Sequence, residues 1–190
     1  MKLKFDTINL SDEPYSLKKI RLVLNRYIKT VSHAEGWIGL DPFARESFTN
    51  TIANFITNDL NPIYKCDYNL EFLDYCKTVV PELERPIDIV LFDPPYNLTL
   101  LKKHYDGIGK DLKRWQTHSM WGAGLDIIAK QMKPGGLFIS LGYSSRGMGK
   151  KRGFKKIELI NYECVAREGQ YNLQLVVEQK IQSSLLDYSQ

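Results

Sequence analysis

The segment Ile87-Asp88-Ile89-Val90-Leu91-Phe92 constrains this chain more than any other. Apart from Asp88 it is apolar and does not alternate, and it leads straight into Asp93-Pro94-Pro95-Tyr96. A run this short suits a strand better than a helix, and the lack of alternation predicts a strand covered on both faces. Each proline fixes φ and carries no N–H. Each also pushes the residue before it into an extended conformation. The buried strand therefore ends on a stiff elbow. That elbow presents acceptors, the Asp93 carboxylate and the Pro94 carbonyl, and withholds backbone donors.

Three other short runs also end on an acid: Gly36-Trp37-Ile38-Gly39-Leu40-Asp41, Asn54-Phe55-Ile56-Thr57-Asn58-Asp59 and Ile63-Tyr64-Lys65-Cys66-Asp67. Each reads as a strand. Between and around them lie helical patterns. Leu17, Ile20, Leu24, Tyr27, Ile28 and Val31 recur at three- and four-residue steps, which predicts an amphipathic helix over about 15–30. Ser11, Asp12, Glu13 and Pro14 form its start signal. Leu70, Leu73, Cys76 and Val80 share one face of a helix over 70–80, which Pro81 stops. A helix over 125–132 is closed by a turn at Lys133-Pro134-Gly135-Gly136. Strands follow over 137–141, 157–165 and 173–180, the last two joined by a turn around Gly169. Residues 97–119 form a polar and aromatic segment without clear periodicity.

Strands alternating with helices predict an α/β fold, doubly wound, built on a mostly parallel seven-stranded sheet. The last two strands lie too close for a helical crossover, so one strand is expected to run antiparallel. With 190 residues and no internal repeat, 1–190 reads as a single domain. Charged residues at 25% and hydrophobic residues at 43% exclude wholesale disorder. No apolar run approaches the ~18 residues of a membrane span. The N-terminus has no apolar core of signal-peptide length, so a cytoplasmic protein is expected. Cys66, Cys76 and Cys164 are odd in number and form no CxxC pair, and His33, His104 and His118 form no HExxH pattern. Neither a disulfide framework nor a metal site is expected.

The net charge of +4 is unevenly placed. Arg146, Lys150, Lys151, Arg152, Lys155 and Lys156 crowd a loop over 146–156 that holds no acid. Twenty other basic residues against twenty-two acidic ones leave the remainder near neutral. One basic strip on a near-neutral body suggests a local polyanion contact.

Asp41, Asp59, Asp67 and Asp93 all fall at predicted strand ends, where open α/β sheets bind ligands. An acid there also serves as a cap or turn residue, but four together point to a site. Two acceptors and a flat ring at the elbow fit a planar amine on an aromatic ring, of which the exocyclic amine of adenine is an example. Its lone pair is delocalised into the ring. Acceptors that hold both hydrogens out of the conjugated geometry free that pair for attack, and alignment with a methyl donor adds the proximity effect.

Asp93-Pro94-Pro95-Tyr96 after an apolar strand resembles the catalytic motif of amino-methyltransferases that use S-adenosylmethionine. The likeness is greatest to the DNA adenine-N6 enzymes, and by texture to the small phage-encoded members. Asp41-Pro42-Phe43-Ala44 resembles the start of their cofactor motif, and Lys133-Pro134-Gly135-Gly136 before a strand recurs in that fold. The resemblance covers about 37–180 and implies a class I, Rossmann-like methyltransferase with S-adenosylmethionine as cofactor. It implies that Asp41, Pro42, Phe43 and Arg45 line the cofactor site, that Asp59 binds ribose hydroxyls, and that Asp67 accepts from the adenine amine of the cofactor. Asp93, Pro94, Pro95 and Tyr96 would hold the target base. The family has glycines where Arg45 and Ser47 stand here. A guanidinium fork at 45 suits the cofactor carboxylate; the other reading is a degraded cofactor site in a nucleic-acid or protein binding module. RNA guanine-N2 methyltransferases share the tetrapeptide, which makes RNA the alternative to DNA as partner.

A base inside a duplex must be extruded before its amine can react. Lys102, Lys103, Arg114 and Trp115, within 97–119, suit backbone contact and base stacking. Arg146, Lys150, Lys151 and Arg152, in the glycine-rich basic loop, suit phosphates. The chain has no room for a large recognition domain, so a short target sequence, a homodimer or a separate specificity partner is expected.

Overall fold

The computed structural model describes residues 1–9, 13–113, 120–164 and 172–181. Its centre is a sheet of β1 (Lys2–Ile8), β2 (Gly39–Asp41), β3 (Phe55–Thr57), β4 (Ile87–Phe92), β5 (Met132–Gly142), β6 (Phe154–Cys164) and β7 (Leu173–Lys180). The spatial order is β1-β6-β7-β5-β4-β2-β3. Neighbours pair in parallel except around β7, which is antiparallel to both β5 and β6. The sheet is therefore α/β, mostly parallel, with one reversed strand.

β4 is buried along its whole length, and its side chains alternate between two cores. Ile89 and Leu91 meet Ile139, Leu175 and the apolar stripe Ile20, Leu24, Ile28 and Val31 of α1 (Lys18–Val31). Val90 and Phe92 face the other way, onto Leu40, Phe138, α2 (Phe72–Thr78) and α4 (Gly122–Gln131). Helices on both faces bury the continuous apolar runs that an exposed sheet could not. Each fully buried Ile or Leu of α1 contributes about 1.5–3 kcal/mol by area. No helix among the described residues is long and apolar enough to cross a membrane.

Four expectations need correction. The run at 63–67 is not a strand: only a single parallel bridge, Asn58↔Tyr68, forms beside β3. The Asp67 carboxylate takes the place of a ladder partner, accepting from the Thr57 N–H at 2.7 Å and the Thr57 hydroxyl at 2.9 Å. The seventh strand is instead β1, at the opposite edge, paired with β6. Leu3 and Phe5 on it are 54% and 74% exposed, so the strand is held mainly by its backbone ladder to β6, with the Lys4–Glu158 ion pair and the buried Ile8 at its end. The segment after the elbow contains α3 (Leu98–Gly107), capped by the Asn97 side chain and buried at Leu101 and Tyr105. Lys133-Pro134-Gly135-Gly136 lies inside β5, where pairing jumps from Ile87↔Met132 to Ile89↔Leu137, so it bulges from the ladder. Gly135 needs its φ of +83° there. Ser11, Asp12 and the turn around Gly169 lie outside the described residues.

Candidate active site

β2, β3 and β4 lie side by side, and the loops after them enclose a cleft of about 410 Å³, within the usual range for ligand sites. Asp93, Pro94, Pro95 and Tyr96 form one wall. Pro42, Phe43 and Arg45, after β2, and Asn58, Asp59 and Asn61, after β3, form another. Leu70, Phe72 and Trp121 complete an apolar end with Glu71 beside it, α3 contributes Leu101, Lys103, His104 and Tyr105, and Glu13 and Pro14 reach in from the N-terminal segment.

At the elbow both oxygens of the buried Asp93 carboxylate are engaged. Oδ1 accepts from the Tyr96 hydroxyl at 2.5 Å, and Oδ2 from Arg45 Nη2 at 3.3 Å. Burial pushes the Asp93 carboxyl up, while Arg45 and Tyr96 hold it back. Each carboxylate oxygen has a further lone pair, so the group retains acceptor capacity toward the cleft. Tyr96 is raised well above its ordinary value by burial and by Asp93. Its ring packs edge-to-face on Tyr143, with centroids 4.9 Å apart.

The loop after β2 is built on Asp41. This residue has no exposed surface and does not line the cleft; its carboxylate accepts from the Thr49 hydroxyl at 2.8 Å and the Phe43 N–H at 3.4 Å. Burial pushes it up to about 7, with Thr49 opposing and Asp93 adding to the rise. Asp41 thus sits beneath the cleft as the anchor of its wall.

Arg45 has φ +46°, and among the described residues it is the one non-glycine in the left-handed region. The backbone keeps a conformation that glycine adopts freely, at a cost of order 1–3 kcal/mol for another residue. Its surroundings over-determine it. The Arg45 carbonyl accepts from Asn50 Nδ2 at 2.7 Å, and its guanidinium meets Glu13 at 3.4 Å as well as Asp93. Ser47 caps the turn Phe48–Thr51 by accepting from the Thr49 N–H.

Asp59 lines the cleft, accepts from the Asn61 N–H at 2.9 Å, and is raised by burial. Asp67 does not line it; its contact with Thr57 turns it toward β3. Asn58 fastens the walls together, donating to the carbonyls of Pro42 and Leu70 and accepting from the Leu70 N–H. Glu71 accepts from the Tyr105 hydroxyl at 2.6 Å, tying α3 to the start of α2. Phe43, Phe72, Phe92 and Trp121 pack with centroids 5.1–6.3 Å apart. Sequence reasoning missed Glu13, Asn58 and Glu71, which come from segments that only the fold brings together. Tyr105, read from the sequence as one of the aromatics suited to base stacking, instead lines the cleft and is bonded to Glu71.

Among the basic residues, Lys103 lines the cleft, whereas Lys102 pairs with Asp106 one turn along at 2.9 Å. Arg114 and Trp115 lie outside the described residues. Arg146, Lys150 and Lys151 are exposed. Arg152 is turned inward, bonding Asp126 at 2.6 Å and the carbonyls of Gly122 and Met148. It fastens the loop to α4. The buried Glu178 pins the same loop through the N–H groups of Met148 and Gly149. Among the described residues no group of three or more His, Cys, Asp or Glu is placed to hold a metal ion.

No protein-family model and no curated protein matches the chain. Solved structures do. An rRNA methylase from Streptococcus thermophilus superposes with a TM-score of 0.53 at 12% identity, over 88% of this chain and 99% of that one. A provisionally described methylase from Haemophilus influenzae gives 0.51 at 12%, over 85% and 88%. A provisionally described methyltransferase from Streptococcus mutans, solved in complex with SAH, gives 0.51 at 10%, over 84% and 97%. These likenesses establish the fold, that of the class I, Rossmann-like methyltransferases.

Proposed function

We propose that this chain transfers the methyl group of S-adenosylmethionine to the exocyclic N6 amine of an adenine flipped out of DNA. The observation that carries the reading is the join between two chemistries in one cleft. An acceptor elbow that lacks backbone donors adjoins, through Arg45, a pocket suited to the donor.

The donor set fits. Arg45 matches a carboxylate, Glu13 an ammonium, Asp59 a pair of ribose hydroxyls, and Leu70 and Phe72 an adenine ring, all on the lining of the same cleft. Asp41 and Asp67 lie outside that set, one as anchor of the loop and one bound to Thr57. The Streptococcus mutans neighbour was solved with SAH, the demethylated product, which supports the same donor here.

When bound, the donor supplies an electrophilic methyl group on a positively charged sulfur. The chain supplies the rest. The Asp93 carboxylate and the Pro94 carbonyl accept the two hydrogens of the base amine and draw its lone pair out of conjugation. Because they are preorganised, no reorganisation is required as charge develops. Pro95 keeps the elbow extended and withholds an N–H that would compete for the lone pair. The amine sheds one proton as the new N–C bond forms. Asp93, raised by burial, is suited to receive it. Leu101 and Tyr105, buried on α3, add apolar surface to the cleft wall. Lys103 at the cleft, with Arg146, Lys150 and Lys151 on the basic loop, would meet phosphates.

The test offers tritiated donor with DNA and RNA side by side. Label on N6-methyladenine in DNA supports the reading, and Asp93→Ala should abolish it while donor binding survives. Label on RNA alone would move the substrate to a base amine of RNA. Full activity in Asp93→Ala would end the elbow mechanism.

A further inference from the structure

The cleft holds an ion-pair arrangement that the transfer reaction alone does not call for. Arg45 stands between two carboxylates, Glu13 at 3.4 Å and Asp93 at 3.3 Å, with only 17% of its side chain exposed. Its contact takes up acceptor capacity on Asp93 Oδ2, part of the carboxylate that with the Pro94 carbonyl would receive the base amine, while Tyr96 holds Oδ1. In this arrangement the elbow is formed but engaged.

The amino-acid end of the donor is a zwitterion, and Arg45 with Glu13 is its mirror image in charge. A carboxylate on Arg45 and an ammonium on Glu13 would replace one set of ion pairs by another without net change. Arg45 would then be drawn from Asp93. A buried carboxylate deprived of its cation is costly unless new hydrogen bonds reach it. The amine of a flipped base supplies them. We propose that Arg45 is a positioning residue that couples the two halves of the cleft: the donor's amino-acid end takes Arg45 from Asp93 and so opens the elbow to the base. This rests on the donor reading given above. Coupling of this kind is reciprocal, so donor and base should each tighten the binding of the other. The left-handed backbone at Arg45 has a use on this account. It brings a long cation to a place where glycine would bring none.

The experiment measures binding, not turnover. The affinity of a labelled adenine-containing oligonucleotide for the full chain is read by anisotropy: alone, with saturating S-adenosylhomocysteine, and with saturating 5′-methylthioadenosine. The last has the nucleoside and thioether without the amino-acid end. S-adenosylhomocysteine should tighten oligonucleotide binding by about 5- to 150-fold, the usual span of such couplings, and 5′-methylthioadenosine should leave it unchanged. Arg45→Gln should remove the enhancement, and Arg45→Lys, which keeps the charge, should restore part of it. Equal enhancement by both ligands in the unaltered protein would overturn the proposal, whether or not the variants fold. So would full enhancement in folded Arg45→Gln. Failure of S-adenosylhomocysteine to bind the unaltered protein would instead bring down the donor reading, and the coupling with it.

Discussion

Replacing Asp41 by Asn is expected to stabilise the protein at alkaline pH and to do much less in mild acid. Asp41 has no exposed surface, and burial raises its carboxyl from the ordinary 3.8 to about 7. The folded state therefore holds this proton over a range where the unfolded chain has released it. Because the folded state binds more protons, stability falls as pH rises from about 4 to about 7, then levels off. At about 1.4 kcal/mol per pH unit the full loss is about 4 kcal/mol, of which about 3 kcal/mol falls between pH 5 and pH 8. Asn has no proton to release, and its amide can still meet the Thr49 hydroxyl, which both donates and accepts. Groups that do not sense Asp41 titrate alike in both proteins and cancel, and the coupling to Asp93 is a smaller contribution than burial. For a chain of this size 1 kcal/mol moves Tm by about 2–4 °C, so the Tm advantage of Asp41→Asn should grow by about 6–12 °C between pH 5 and pH 8. Thermal melts of both proteins at the two pH values give the answer directly. An advantage that is the same at both would refute the argument, because it would mean that Asp41 does not carry the proton.

Tyr96→Phe removes the hydroxyl that donates to Asp93 but keeps the ring against Tyr143. A hydrogen bond to a charged group contributes about 1.5–3 kcal/mol, so kcat/KM for methyl transfer should fall roughly 10- to 100-fold. The acidic limb of the pH–rate profile should move to higher pH, since Asp93 loses a group that holds it down. Gly124→Ala would place a Cβ 2.3 Å from Phe72 Cε1 and 3.0 Å from Cys76 Sγ. The overpacking, about 1–3 kcal/mol, should outweigh the ~1 kcal/mol gained in helix propensity and lower Tm. Gly122→Ala, whose Cβ meets nothing within 4 Å, should not. Lys150→Ala with Lys151→Ala should lower the slope of log affinity for DNA against log salt by about 2 if both meet phosphates. Arg152→Ala should lower Tm instead, because that side chain is committed to Asp126 and α4.

The parts of the fold that could be read along the chain are those where burial writes its own pattern. Ile87–Phe92 is apolar throughout because it is covered on both faces, and α1 shows its buried stripe at helical steps. β1 escaped notice for the opposite reason: Leu3 and Phe5 face outward, and the strand exists through hydrogen bonds to β6, a partner more than 150 residues away. The run at 63–67 misled because short apolar stretches next to an acid look alike whether a backbone ladder or a carboxylate such as Asp67 satisfies the neighbouring strand. The four strand-end acids likewise share one signature and have different situations. Asp59 and Asp93 line the cleft, Asp41 lies under it, and Asp67 turns to Thr57.

Taken alone, the order of residues determined the central strand, the proline elbow after it, the doubly wound class and the reversed strand, since each depends on burial pattern or backbone stereochemistry over a few neighbours. The tertiary structure decided which charges meet. Glu13, Arg45 and Asp93 come from three separate segments, and whether Arg45 reaches a ligand, an acid or both depends on distances of a few ångströms. Electrostatic energy follows distance through space and the degree of burial, not separation along the chain.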